Sequence, residues 1–126
     1  MKIKRGEYSA VIKHRISFVD KTGDFTSPSY VRSARKGILA ALAYLGAGRL
    51  CDVELCFVGE NEIKSLNGQF RHVDKVTDVL SFPALDIAKG EKPEDAAGRF
   101  DYVNGRIFIG SIVICKPVAL RQAESY

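Results

Sequence analysis

The spacing of apolar positions changes several times along the chain, and each change marks a predicted element. From Ala10 to Val19, Ile12, His14, Ile16 and Phe18 alternate with Lys13, Arg15 and Ser17, the period of two of a strand with one buried face. His14 falls on the apolar side, so it is expected to pack against a sheet or helix and not to bind a ligand. After a turn at Lys21-Thr22-Gly23-Asp24, Ser27 followed by Pro28 reads as an N-cap with proline at the first helical position. Val31, Ala34, Ile38, Leu42 and Leu45 then form one helical stripe, with Arg32, Arg35 and Lys36 off it toward solvent. Gly46-Ala47-Gly48 ends the helix.

Val53, Leu55 and Phe57 alternate with Asp52, Glu54 and Cys56, which predicts a second strand buried on the first set. Gly59-Glu60-Asn61-Glu62 opens a short helix with Ile63, Leu66 and Phe70 as its buried stripe and Glu62 placed as a capping-box acid. Arg71 to Thr77 is the loop that leaves this helix. Asp78 to Phe82 is a short strand whose Val79-Leu80 pair predicts cover on both faces, and Pro83 closes it. Ala84 to Gly98 has the composition and length of a mobile loop. Phe100 to Val103, Asn104-Gly105 and Arg106 to Ile109 form a hairpin with a type I′ turn. Its return strand continues through Ile114, with Gly110 as a bulge or point of close approach. Lys116-Pro117 starts a last helix that reaches Tyr126 without a stop signal, so the chain reads as C-terminally incomplete.

This order predicts an α+β fold in one domain, residues 1–126, with a mixed four-stranded sheet, helices mainly on one face, and residues 84–105 as a loop and hairpin insertion. No run approaches the roughly 20 apolar residues of a membrane helix, and no signal segment follows Met1-Lys2-Ile3-Lys4-Arg5, so a cytoplasmic protein is expected. Charge is divided along the chain. Residues 1–50 hold ten Lys/Arg against three Asp/Glu, a net +7, whereas residues 51–126 hold nine against twelve, a net −3. The basic half could face phosphate, although a solvated surface is the commoner use of such residues. Cys51, Cys56 and Cys115 lack a C-x-x-C pair and are expected as small core residues, neither disulfides nor metal ligands.

The chemistry concentrates in the loop after the second helix. A guanidinium is always charged, and its fork of donors matches two phosphate oxygens, so Arg71 can hold a phosphodiester or stabilise charge building on it. Paired instead with Asp74 or Asp78, it would only fix the loop. Spacing alone leaves these readings level. Lys75 is a second cation for phosphate contact. His72 invites acid–base chemistry, but no second histidine is expected near it. Thr77, Ser81 and Pro83 read as structural.

The run LNGQFRHVDKVTDVLSFP, Leu66 to Pro83, resembles the motif L-N-x-x-[YF]-R-x-x-D-K-P-T-D-V-L-S-F-P of the YbeY family, bacterial metal-dependent endoribonucleases of ribosomal RNA maturation. The similarity extends over about residues 28–126 and is strongest over about residues 53–83. Two positions depart from the family pattern. Val76 replaces proline, and Ser111 stands where members commonly carry aspartate in G-D-[IL]-V-I.

The resemblance implies a YbeY/zincin-like fold and cleavage of RNA in 16S ribosomal RNA 3′-end processing and ribosome quality control, with ribosomal RNA and the small ribosomal subunit as partners. It implies that Arg71 is the catalytic phosphate clamp, with Asp74 or Asp78 orienting it; Lys75 as a substrate contact rests on its charge and position alone. It also implies zinc in the complete family protein, held by a second motif, H-G-x-x-H-L-x-G-Y-D-H. This chain has only His14 and His72, so no three-histidine site can form, and no metal and negligible cleavage are expected of it. A non-catalytic RNA- or ribosome-binding module is the alternative, and peptide hydrolysis has the weakest support. A sheet without the C-terminal metal-binding helices would expose apolar surface and favour self-association.

Overall fold

The computed structural model describes residues 13–23 and 26–125, Ser125 without its side chain. Ala10 to Ile12 of the first expected strand, Asp24 of the turn and Tyr126 lie outside these residues. The elements in order are β1 (Arg15–Asp20), α1 (Pro28–Tyr44), β2 (Cys51–Val58), α2 (Glu60–Arg71), β3 (Val79–Pro83), α3 (Pro93–Ala96), a 3₁₀ turn (Arg99–Asp101), β4 (Tyr102–Val103), β5 (Arg106–Cys115) and α4 (Lys116–Ser125). The strands form one mixed sheet in the order β1-β2-β5-β3, with β4 paired to the start of β5. β1, β2 and β5 run parallel, while β3 and β4 are antiparallel to β5. The expected α+β class and mixed sheet hold, and the two-residue β4 is a fifth strand beyond the four expected.

Residues that are neighbours in register share a face, which assigns the helices to sides. Glu54, Cys56 and Val58 lie level with Ser111, Val113 and Cys115 of β5. Cys56, Val58, Val113 and Cys115 pack with Leu80, with Ile63 and Leu66 of α2 and with Val118 of α4. Val53 and Cys51 point the other way, into a cluster with Ile107 and with Ile38 and Leu42 of α1. Two long helices therefore cover one face and α1 covers the other, so the division is less one-sided than expected.

Local chemistry explains most boundaries. The Ser27 hydroxyl accepts the Ser29 N–H at the start of α1. At its end Gly46, at φ 72°, reverses the chain, and the Ala47 and Gly46 N–H groups return to the carbonyls of Leu42 and Ala43. Asn104 and Gly105, both at positive φ, make the expected tight hairpin turn. Opposite Asp52 and Val53, β5 offers Phe108 and then Gly110, so Ile109 is an extra residue and the strand bulges. Gly110 sits at φ 147°, and a Cβ there would overlap the Phe82 carbonyl oxygen. Only glycine lets β3 come this close to β5.

Three expectations need correction. Cys56 and Val58 are buried as well as Val53, Leu55 and Phe57, because β2 is a central strand covered on both faces over its second half. Val79 is exposed because β3 is an edge strand and only Leu80 reaches the core. Residues 84–98 are not a plain loop. Pro93 is buried at the start of α3, and the Glu94 carboxylate accepts the Gly48 N–H at 2.9 and 3.2 Å, tying this segment to the end of α1.

A largely covered ion pair joins the first and last described elements. Lys116 Nζ lies 3.1 Å from Asp20 Oδ2, with both side chains largely covered. The hydroxyls of Thr22 and Thr26 and the Thr22 N–H also donate to the Asp20 carboxylate. Burial by itself pushes the Asp20 carboxyl up, but the donors from Thr22, Thr26 and Lys116 outweigh it and hold the carboxyl well below the usual range.

Candidate functional site

α2 brings the candidate residues to one corner of the sheet. Its first turn carries Glu60 and Glu62 near the positive end of the helix, but Glu62 makes no capping box. Its carboxylate accepts Lys21 Nζ at 3.3 Å instead. At the other end Arg71 is the last helical residue, and His72 caps the helix in the left-handed conformation at φ 61°. His72 is exposed and serves as a turn residue, a conformation in which histidine is enriched.

Asn67 is the residue that the apolar pattern missed. It lies four positions after Ile63 on the same helical face and is buried. Its Nδ2 donates to the Lys75 carbonyl at 3.0 Å, and its own carbonyl accepts the Val73 N–H. One buried amide thus holds the loop that runs from Arg71 to Lys75, satisfying a carbonyl that the turn leaves without a backbone partner. The Ile63 to Asn67 spacing was the available signal. Phe70, expected on the buried stripe, is half exposed at the rim.

Arg71 is exposed, and its guanidinium is held without a carboxylate. NH2 donates to the Ser81 carbonyl at 2.7 Å, NH1 reaches the Phe70 carbonyl at 3.5 Å, and Cζ stands 5.3 Å from the centre of the Phe82 ring. Phe70 meets Phe82 edge to face at 5.3 Å. The acids that would have neutralised Arg71 are engaged elsewhere. Asp74 lies 3.9 Å from Lys64, and Asp78 accepts from Val79, Thr77 and Gln122. The hydrogen bond from Gln122, with those from Val79 and Thr77, lowers the Asp78 carboxyl below its ordinary value against a smaller opposing effect of burial. Among the described residues no salt bridge reaches Arg71, so the loop-fixing pair with Asp74 or Asp78 is not formed. Lys75 is exposed on the same loop.

Next to this corner is a cavity of about 250 Å³ on the α2 face of the sheet. Leu66, Phe70 and Phe82 wall it, Glu54 and Ser111 lie on its floor, and the Lys21–Glu62 pair lies at its edge. The Ser111 hydroxyl donates to Glu54 Oε1 at 3.3 Å. A larger groove of about 760 Å³ opens on the opposite face between α1 and the segment after β3. Its lining is apolar, and Asp86 is its one ionisable residue.

The remaining candidates are structural. His14 Nδ1 accepts the Cys51 N–H at 3.0 Å, and burial, with Arg106 nearby, lowers its pKa. The three cysteines are free and buried, as expected. Burial, with Glu94 adding to it, pushes the Cys51 thiol up to about 11, and burial also raises that of Cys56. Among the described residues no group of three or more His, Cys, Asp or Glu is placed to hold a metal ion. His14 Nδ1 is already committed to the backbone and His72 stands alone on its turn, so the described donors do not fit the zinc that the resemblance implies. No helix of the described residues is long and apolar enough to cross a membrane.

Comparison with known proteins places this corner in context. The family described as Endoribonuclease YbeY matches residues 15–126. An Endoribonuclease YbeY from Synechococcus sp. (strain JA-2-3B'a(2-13)) is 33% identical over 110 residues, covering 86% of this chain and 63% of its own length. One from Clostridium botulinum (strain Eklund 17B / Type B) is 30% identical over 105 residues, covering 79% and 63%. One from Desulforamulus reducens is 44% identical over 75 residues, covering 60% and 43%. The chain thus spans less than two thirds of the length of these relatives. The solution structure of TM1509 from Thermotoga maritima aligns with a TM-score of 0.47 at 26% identity, covering 87% of this chain and 57% of that one. With a family match running from the first described strand to the last residue, the chain belongs to the Endoribonuclease YbeY family.

Proposed function

We propose that this chain grips the phosphodiester backbone of single-stranded RNA, with Arg71 as the clamp, and so serves an endoribonuclease acting on ribosomal RNA at the small subunit. The observation that carries the reading is the state of Arg71. Its guanidinium is fixed in direction by the Ser81 carbonyl and the Phe82 ring, and among the described residues no carboxylate neutralises it. A pre-oriented, uncompensated cation at an exposed corner suits a phosphate that brings its own two charge-bearing oxygens. Lys75, whose backbone Asn67 pins, adds a second phosphate contact. In cleavage such a guanidinium stabilises negative charge building on the phosphorus-bound oxygens.

Zinc is proposed for the complete family protein, where it would supply an activated water. The His, Cys, Asp and Glu side chains among the described residues form no group that could hold it. The second reading, an RNA- or ribosome-binding module without cleavage, is favoured by Ser111, a neutral hydroxyl bonded to Glu54 where the family pattern has a carboxylate.

Affinity for a single-stranded ribosomal RNA fragment, measured across a salt series, tests the clamp. Arg71→Ala should weaken binding several-fold and reduce the slope of log affinity against log salt by about 0.7, the value for one phosphate contact on a single strand. Unchanged affinity and slope would remove Arg71 from the site. Cleavage scored in the same samples with zinc added separates the readings. Products that disappear in Arg71→Ala support the nuclease, and intact RNA bound with the expected salt slope supports the module.

A further inference from the structure

We infer that the cavity beside Arg71 is a nucleobase subsite that receives one unstacked base bearing an exocyclic amino group, an inference that rests on the RNA reading above and specifies how RNA lies there. At about 250 Å³ the cavity falls below the ~300–1,000 Å³ of sites for drug-sized ligands and suits a single planar ring. Its walls are right for one. Phe70 is half exposed over the opening and is held edge to face against Phe82, while Leu66 supplies the apolar side. An aromatic ring kept half in water on a rigid helix end is a stacking surface, and single-stranded RNA is read by such surfaces.

The floor selects the base. A carboxylate only accepts hydrogen bonds, and Ser111 already donates to Glu54 Oε1. Among the described residues no donor reaches Glu54 Oε2. A base that turns an amino N–H toward the floor satisfies that oxygen, whereas uracil has only its N3–H to offer on that edge and brings its O4 carbonyl beside the carboxylate with like partial charge. Serine in place of a second carboxylate keeps the floor at a single negative charge, and the Lys21 ammonium 3.3 Å from Glu62 offsets the acid at the edge. Phe82 links the two parts of the site, because it walls the cavity and also carries the Arg71 guanidinium 5.3 Å from its centre. A nucleotide whose phosphate rests on Arg71 therefore has its base next to the opening.

Three single-stranded pentaribonucleotides with uridine flanks and cytidine, uridine or an abasic residue at the centre test this by equilibrium binding to the full 126-residue chain. Cytidine and uridine differ only at the edge that meets Glu54. The cytidine strand should bind about 10-fold more tightly than the abasic one and several-fold more tightly than the uridine one. Phe70→Ala should bring the cytidine strand down to the level of the abasic strand measured on the same variant. Glu54→Gln, whose amide both donates and accepts, should bring the cytidine-to-uridine ratio close to one without altering the salt slope. Ser111→Ala should keep the preference for cytidine. Equal binding of all three strands, or preference for uridine, overturns the subsite. If Arg71→Ala still lowers the salt slope in that case, the phosphate clamp survives without it. If Arg71→Ala is silent as well, the RNA reading itself has failed.

Discussion

The two faces of this sheet are built from the same strands and end in opposite conditions. On the α2 and α4 face, Ile63, Val58 and Cys115 are almost wholly covered, and a buried amide ties Asn67 to the loop. On the α1 face, Leu42 is covered, but Leu45 and Leu39 are partly exposed and a long apolar groove stays open. The candidate chemistry sits on the tightly held face. A guanidinium can be aimed only where its carbonyl and its aromatic support do not move, and the dense face provides that rigidity.

Core truncations should break the symmetry most visibly. Ile63→Ala leaves a closed void under α2 and should cost about 4 kcal/mol, whereas Leu42→Ala opens onto an existing groove and should cost about 2 kcal/mol, read from denaturant midpoints. Equal losses would mean that the faces are equally well packed. Gly110→Ala, where the added Cβ meets the Phe82 carbonyl in a conformation unfavourable to any side chain, should cost about 3 kcal/mol and loosen the β3–β5 pairing that supports Arg71.

Asp20→Ala should cost about 3 kcal/mol at neutral pH by removing the carboxylate beside a buried ammonium. The sign of its pH dependence follows from a folded carboxyl lowered below its unfolded value. The stabilisation is complete above the ordinary aspartate range and is lost as pH falls through the lowered value. The stability gap between wild type and Asp20→Ala should therefore be constant near neutrality and shrink in acid below about pH 4. A gap that widened in acid would contradict the pair. Asn67→Ala should cost about 1 to 2 kcal/mol through one lost buried hydrogen bond. Arg71→Ala, at an exposed position, should change stability by less than about 0.5 kcal/mol, so its loss of RNA affinity can be read without a folding correction.

Local signals carried much of the fold. The Ser27-Pro28 start, the reversal at Gly46, the Asn104-Gly105 turn and the Gly110 bulge each depend on the backbone freedom or capping ability of one or two residues, and such properties act wherever the residues stand. The exposed positions of Arg71 and Lys75 at the end of α2 and on the loop after it were also legible, because they are written in consecutive residues. What failed was cover. Val79 and Val58 are both apolar strand residues, yet one lies on an edge and the other in the centre of the sheet, and strand order is not a local property.

The amino-acid sequence by itself determined the longer helices and strands, the family and the charged turn, since these follow from periodicity, capping and a continuous motif, but not the short helix inside residues 84–98. Tertiary structure alone decided that Asp74 and Asp78 leave Arg71 unneutralised, that Asn67 is buried to hold the loop, and that Glu54 and Ser111, 57 positions apart, share the floor of one cavity. The physical reason is that hydrogen bonds and ion pairs go to whichever partner the packed chain brings within reach, and that choice is made only once the sheet has formed.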